Sequence, residues 1–110
     1  MVKGYNGKVS LPGGRAKPGE HPRCTAERET WEETGLAMAA IRQLATMDTG
    51  FVLFHCELRG ANQRIDPPAR FEVSDVFWLA SDAFDNHEWR YPGQQVQLKQ
   101  LLKTAAANNR

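Results

Sequence analysis

Nothing in this chain approaches the ~20 consecutive apolar residues of a membrane-spanning helix, so no membrane partner is expected. No charged-then-apolar leader opens it either. Cysteine is scarce: Cys24 and Cys56 are too few and too far apart for a disulfide framework or a zinc site. Both read as reduced, half-buried fillers, which suits a cytoplasmic setting. A basic stripe with interleaved aromatics is missing, so nucleic acid is not an indicated partner. The formal net charge is +1 and 25% of residues are charged, an ordinary balance that steers the chain towards no acidic or basic partner. There are no internal repeats and no linker, and residues 1–110 read as one domain.

Against that plain background stands the run from Gly14 to Leu36, GRAKPGEHPRCTAERETWEETGL. His21-Pro22 reads as a helix entry, because proline suits the first helical position, where its missing N–H would be unpaired anyway. Gly35 reads as the stop, since glycine takes the left-handed conformation at low cost. The helix is expected from Pro22 to Thr34. At about 100° per residue, Glu29, Glu32 and Glu33 share one face, and Arg28 can pair with Glu32 one turn on. Trp31 and Cys24 point nearly the opposite way and read as packing residues, and Glu27 lies off the acidic face too. A charge run is ordinarily a solvated helix face. Three carboxylates on one face nevertheless repel by a few tenths of a kcal/mol per pair, and a cation would turn that repulsion into binding. Four glutamates and an arginine on a loop, helix and loop are what holding hard divalent cations against a phosphate chain requires.

The spacing resembles the Nudix box, G-x5-E-x7-R-E-U-x-E-E-x-G-U with U a bulky aliphatic. Gly14, Glu20, Arg28, Glu29, Glu32, Glu33, Gly35 and Leu36 match, while Thr30 stands where an aliphatic is usual. Leu11-Pro12-Gly13-Gly14 is similar to the family's lead-in. The resemblance implies an α/β (α+β) fold, a Nudix-type α/β/α sandwich around a mixed sheet. It also implies a pyrophosphatase-type enzyme, a hydrolase of the diphosphate linkage in a nucleoside diphosphate derivative, with Mg²⁺ as cofactor and Mn²⁺ as a possible substitute. The family usually places a further segment, with a strand of the central sheet, before the LPGG turn. Here Gly14 comes almost at once, so that first strand is expected to be lacking. Met1 to Asn6 are too few and too polar to replace it fully. An open sheet edge invites another strand, which makes a homodimer the expected state.

Residue roles follow from the resemblance. Glu29 and Glu33 are the first choices as metal ligands, with Glu32 sharing or bridging and the Gly14 carbonyl as a further ligand. Glu20 either binds metal or pairs with Arg28, and Arg28 orients a glutamate through its planar fork. The general base comes from the box or from Glu72, whose blander reading is an exposed strand-edge carboxylate. Arg15, Lys17 and Arg23 either meet phosphates or simply solubilise. Trp89 and Arg90 either stack on a base and meet a phosphate, or pack over the sheet edge. Specificity is expected in Arg59 to Arg70 and Asp82 to Tyr91. The alternative reading is a catalytically weak Nudix-fold nucleotide-binding or regulatory domain. A diphosphate isomerase on the same fold is disfavoured, because Cys24 points away from the acids.

The remaining chain reads as short elements. Gly7 to Leu11, Ala39 to Met47, Phe51 to Leu58 and Glu72 to Leu79 are strand candidates. The apolar run at Phe51 to Leu58 suggests burial on both faces. His55 within it reads as a hydrogen-bonded strand residue, and Phe77-Trp78 as core. Ser81-Asp82 can cap a short turn through Phe84, and Pro92-Gly93 breaks the chain. Leu98, Leu101, Leu102 and Ala105 then stripe an amphipathic C-terminal helix, with Ala106 to Arg110 fraying.

Overall fold

A computed structural model describes residues 1–47, 49–67 and 73–108. The first two strands, β1 (Val2–Lys3) and β2 (Val9–Ser10), form a hairpin closed at Asn6-Gly7, where Gly7 takes a positive φ. The Asn6 side chain accepts from the Lys8 N–H, the local bond that favours asparagine in turns. β1 is thus the central strand of a three-stranded antiparallel sheet, with β5 (Asp75–Val76) on its other side. The opening residues, too short and polar by sequence to make a full strand, supply two residues that pair on both edges. The expected strand Glu72 to Leu79 contracts to these two residues, and Glu72 lies outside the described residues.

The helix α1 (Pro22–Thr34) has the bounds that its capping residues predict. His21 is the N-cap and its Nδ1 accepts from the Arg23 N–H. Gly35 closes the helix at φ 76°, and its N–H donates to the Trp31 carbonyl. A side chain there would run into the backbone of Asp66, so both conformation and space demand glycine. Next come β3 (Met38–Thr46) and β4 (Val52–Leu58), an antiparallel hairpin with two register irregularities. α1 packs on this hairpin. β4 is not buried on both faces as its composition suggested: His55, Glu57 and Leu58 are exposed, and β3 is its one partner among the described strands. His55 faces Glu57 at 3.7 Å.

The core gathers Val9, Met47, Leu53, Phe84, Trp89 and Leu98. Each such side chain withdrawn from water contributes roughly 1.5–3 kcal/mol. Val9, fully buried, is the pivot: its N–H donates to the Glu88 carbonyl and its carbonyl accepts from the Arg90 N–H, a parallel bridge to Trp89. That bridge is the parallel component of the expected mixed sheet; the pairings between described strands are antiparallel. A 3-10 turn over Ser81–Asn86 carries Phe84 into the core, without the expected side-chain cap. α2 (Pro92–Asn108) follows, with Pro92 starting the helix instead of interrupting the chain. Leu98 is buried, Leu101 partly buried and Leu102 exposed, so the stripe is narrower than its spacing suggested. The side chain of Ala105, and Asn109 and Arg110, lie outside the described residues.

Three aromatic and thiol expectations are corrected by exposure. Trp31 is 49% exposed and Trp78 66% exposed, so neither is core. Cys24 is exposed as well, whereas Cys56 is half-buried as expected. α1 buries Thr25, Thr30 and Thr34 instead.

Candidate active site

The Pro12-Gly13-Gly14-Arg15 turn lies over the acidic side of α1. The Gly13 N–H donates to Glu33 Oε2 at 2.9 Å. A Cβ on Gly14 would sit 2.5 Å from Glu29 Cδ, so a bare backbone is what lets the turn approach this carboxylate. Arg28 ties the turn to the helix. Its Nε and one terminal nitrogen donate to the two Glu20 oxygens, each at 2.9 Å, a bidentate fork. The other terminal nitrogen donates to Glu29 at 2.9 Å and to both Glu32 oxygens at 3.3 Å. Arg28 also donates to the Arg15 carbonyl at 3.0 Å.

Glu20 is the partner of Arg28 in this structure. It also accepts from the Lys17 N–H and from the Thr25 hydroxyl. The Arg28 hydrogen bonds, helped by the backbone N–H of Lys17, hold its carboxyl down to about 2, and the Arg28 guanidinium is pushed up in return. Burial lowers the Met1 ammonium while the Glu33 charge opposes it, which places the first residue within electrostatic reach of the acidic face.

The structure thus brings Gly14, Glu20, Arg28, Glu29, Glu32 and Glu33 together. Among the described residues, no three His, Cys, Asp or Glu side chains stand in a ready-made coordination geometry. The physical reason is visible: the Arg28 guanidinium takes the space between Glu20, Glu29 and Glu32. The donor chemistry still fits a hard cation. Glu29, Glu32 and Glu33 offer oxygens, and Arg28 and the Gly13 N–H orient them from behind, as outer partners of metal ligands do.

A cleft of about 1300 Å³ opens beside this face, with Gly14, Arg15 and Glu33 in its wall. Arg90 lines it too, its guanidinium over the Tyr91 ring at 5.1 Å. Trp89 does not: it is 4% exposed, and its indole N–H donates to the Phe84 carbonyl. Its stacking role is overturned because Val9 and Phe84 enclose the ring. Glu72 lies outside the described residues. Of the two loops expected to carry specificity, the described part of the first packs on the end of α1 and the start of β3: Gln63 bonds both backbone groups of Ala37, and the Asp66 N–H donates to the Thr34 carbonyl. Arg59 pairs with Glu27, which also accepts from the Ala40 N–H, so Glu27 is a structural tie and not a bystander on the helix.

Sequence reasoning missed Thr25 and Gln94. Thr25 lies five residues after Glu20 and supports it, a pairing that helix placement alone would suggest. Gln94 holds the Leu11 N–H from 83 residues away, with no local signal to reveal it.

A two-glycine turn clasping an acidic helix through an Arg–Glu fork, on an α+β fold, defines a phosphate-handling domain. The chain matches the family model of the NUDIX domain over residues 2–101 and belongs to that family. Membership implies, in general terms, hydrolysis of nucleoside diphosphate derivatives with divalent metals such as Mg²⁺. No curated protein matches the chain. Among the described residues, no helix is long and apolar enough to cross a membrane.

Proposed function

We propose that this chain, acting as one domain over residues 1–110, is a Mg²⁺-dependent hydrolase of the diphosphate linkage in a nucleoside diphosphate derivative. The observation that carries the reading is the joint ordering of three glutamates by Arg28, Gly13 and Gly14. Glu29, Glu33, Glu32 and the Gly14 carbonyl would hold the metal, and Mn²⁺ suits the same oxygens. When bound, the metal neutralises phosphate charge and lowers the pKa of a water. Arg28 fixes the carboxylate orientations through its planar fork, and Glu20 fixes Arg28. Arg15 and Arg90 line the cleft where phosphate oxygens would lie. A box glutamate or Glu72 takes the proton from the attacking water. The expected setting is cytoplasmic.

The test is release of phosphate-containing products from a panel of dinucleotides, nucleotide sugars and nucleotides, with and without millimolar Mg²⁺. Metal plus ligand should also raise the melting temperature. Neither effect on any substrate would leave the alternative, a nucleotide-binding or regulatory domain. That second reading rests on the Arg28 guanidinium standing between the carboxylates.

The same reading carries a homodimer. β3 and β4 pair with each other, and Ile41 and Leu44 of β3 are exposed. An apolar strand with an open edge favours cover by a second copy. Light scattering over a range of concentrations should give twice the monomer mass. A monomer throughout, with a concentration-independent melting temperature, removes the dimer.

A further inference from the structure

The turn over α1 is fixed at its two ends: Gln94 accepts from the Leu11 N–H, and the Arg15 carbonyl accepts from Arg28. Between them stand two adjacent glycines, the residue with the widest choice of backbone conformation. Gly13 nevertheless delivers its N–H to Glu33 Oε2 at 2.9 Å. What steadies it comes from the turn between β3 and β4. A Cβ on Gly13 would lie 2.6 and 2.8 Å from two ring carbons of Phe51, and the next nearest atom belongs to the same ring. Gly13 is not among the glycines with a positive φ. Its backbone would therefore admit a side chain, and the Phe51 ring is what takes the space. The ring is itself anchored. The Gly50 N–H donates to the Met47 carbonyl and the Met47 N–H to the Phe51 carbonyl, each at 2.8 Å. Met47 is buried in the core, and Phe51 packs against that core. Phe51 also lines both the cleft and a separate apolar cavity beside α1, so its ring stands between the two spaces.

We infer that Phe51 is a positioning residue for the reaction: its ring sets how closely the glycine turn stands over α1 and so keeps the Gly13 N–H on Glu33. The inference rests on the hydrolase reading for what Glu33 then does. Contact of this kind suits the task, because close-packed groups transmit displacement and lose their attraction as soon as a gap opens. Without the ring, the two glycines are free to drift between their fixed ends, and the Glu33 carboxylate drifts with them.

Amide hydrogen exchange on the metal-free chain tests it, with kinetics as the second readout. In Phe51→Ala the Gly13 amide should exchange about tenfold faster than in the wild type, while the amides within α1 keep their rates. Turnover should fall by up to roughly 10²-fold in kcat, with KM little changed. Gly13→Ala forces a methyl against the ring and should disturb the same bond from the other side. Combining the two substitutions gives that methyl the room the ring has vacated, so the double variant should recover much of the rate that each single variant loses. Phe51→Leu, which keeps apolar bulk, carries the same exchange measurement if Phe51→Ala melts early. An unchanged Gly13 exchange rate in the folded Phe51 variant, strictly additive losses in the double variant, or a raised KM at unchanged kcat would overturn the inference. A chain that shows the exchange effect but hydrolyses nothing loses the hydrolase reading alone. A chain that hydrolyses while its Gly13 amide ignores Phe51 loses this inference alone.

Discussion

The two faces of α1 are built by opposite means. Towards the glycine turn the helix presents Glu29, Glu32 and Glu33, each held by a named donor: Arg28 for the first two, the Gly13 N–H for the third. Towards the β3–β4 hairpin it presents Ala26 and Thr30, across an apolar cavity of about 360 Å³ lined also by Met38, Leu53 and Cys56. The Thr34 hydroxyl turns back to the Thr30 carbonyl at 2.6 Å, so it is satisfied within the helix and does not tie α1 to the hairpin. One face is positioned by directional, charge-assisted bonds, and the other by loose apolar contact. The difference teaches where this fold invests its order: in the orientation of carboxylates more than in the density of packing beneath them.

Breaking the ordered face should have the largest effect. Glu33→Gln keeps the shape and the bond from Gly13 while removing the charge, so hydrolysis should fall on the order of 10²- to 10³-fold. Relief of repulsion among the three acids should leave the melting temperature unchanged or slightly raised. Glu57→Gln on the exposed end of the hairpin is the matched control, since Glu27 ties α1 to Ala40 and Arg59. Turnover assays on both variants decide it, and equal rates would remove Glu33 from the site.

Legibility in the amino-acid sequence follows the same division. The acidic face is readable because local signals fix its geometry: a helix entry at Pro22, a stop at Gly35 and acids three and four apart leave one arrangement. The pairing of Glu20 with Arg28 is one of two options by sequence, and its bidentate form is visible only in the structure. Packing is less legible. Hydrophobicity and helical angle assign Trp31 to the core, yet α1 buries threonines and leaves Trp31 half in water. Trp89 goes the other way: nothing local shows that a parallel bridge from Val9 encloses it. Placement of this kind depends on residues at opposite ends of the chain, which is also why Gln94 carries no signal.

The close approach of turn to helix gives the next largest effect. Gly14→Ala would put a methyl 2.5 Å from the Glu29 carboxyl carbon. The carboxylate is the flexible partner and should swing away, so the fold survives while Glu29 loses its place. A misplacement of about an ångström costs up to roughly 10²-fold in rate. Kinetics should show that fall with little change in melting temperature. A large loss of stability would mean that the turn, and not Glu29, gives way.

On the loose face, Thr30 is 8% exposed beside the apolar cavity. Thr30→Val exchanges a hydroxyl for a methyl of similar size where the neighbours are apolar. Thermal or denaturant unfolding should report a gain of about 1 kcal/mol, because a hydroxyl is removed from apolar surroundings. Hydrolysis should be little changed, because among the described residues Thr30 makes no hydrogen bond to the acids or to Arg28. A gain in stability accompanied by lost activity would show that the two faces are coupled.

The smallest effect is a pH signature of the Glu20–Arg28 fork. Arg28 holds the folded-state carboxyl of Glu20 at about 2, against an ordinary value of 4.5. Above pH 4.5 the group is ionised in both folded and unfolded chains, and its full contribution to stability is present. As pH falls from 4.5 towards 2, the unfolded chain takes up the proton first, so acid favours unfolding and the contribution is lost. Glu20→Gln has no such proton to bind. The melting temperature of the wild type should therefore exceed that of Glu20→Gln at neutral pH, and the two curves should converge across that acidic window. The gap stays small because solvent reaches the fork and screens it. Added salt should narrow it further at neutral pH. A gap that persists unchanged down to pH 2 would show that Glu20 acts through shape and neutral hydrogen bonds, and the charge-ordered account of this face would lose its first member.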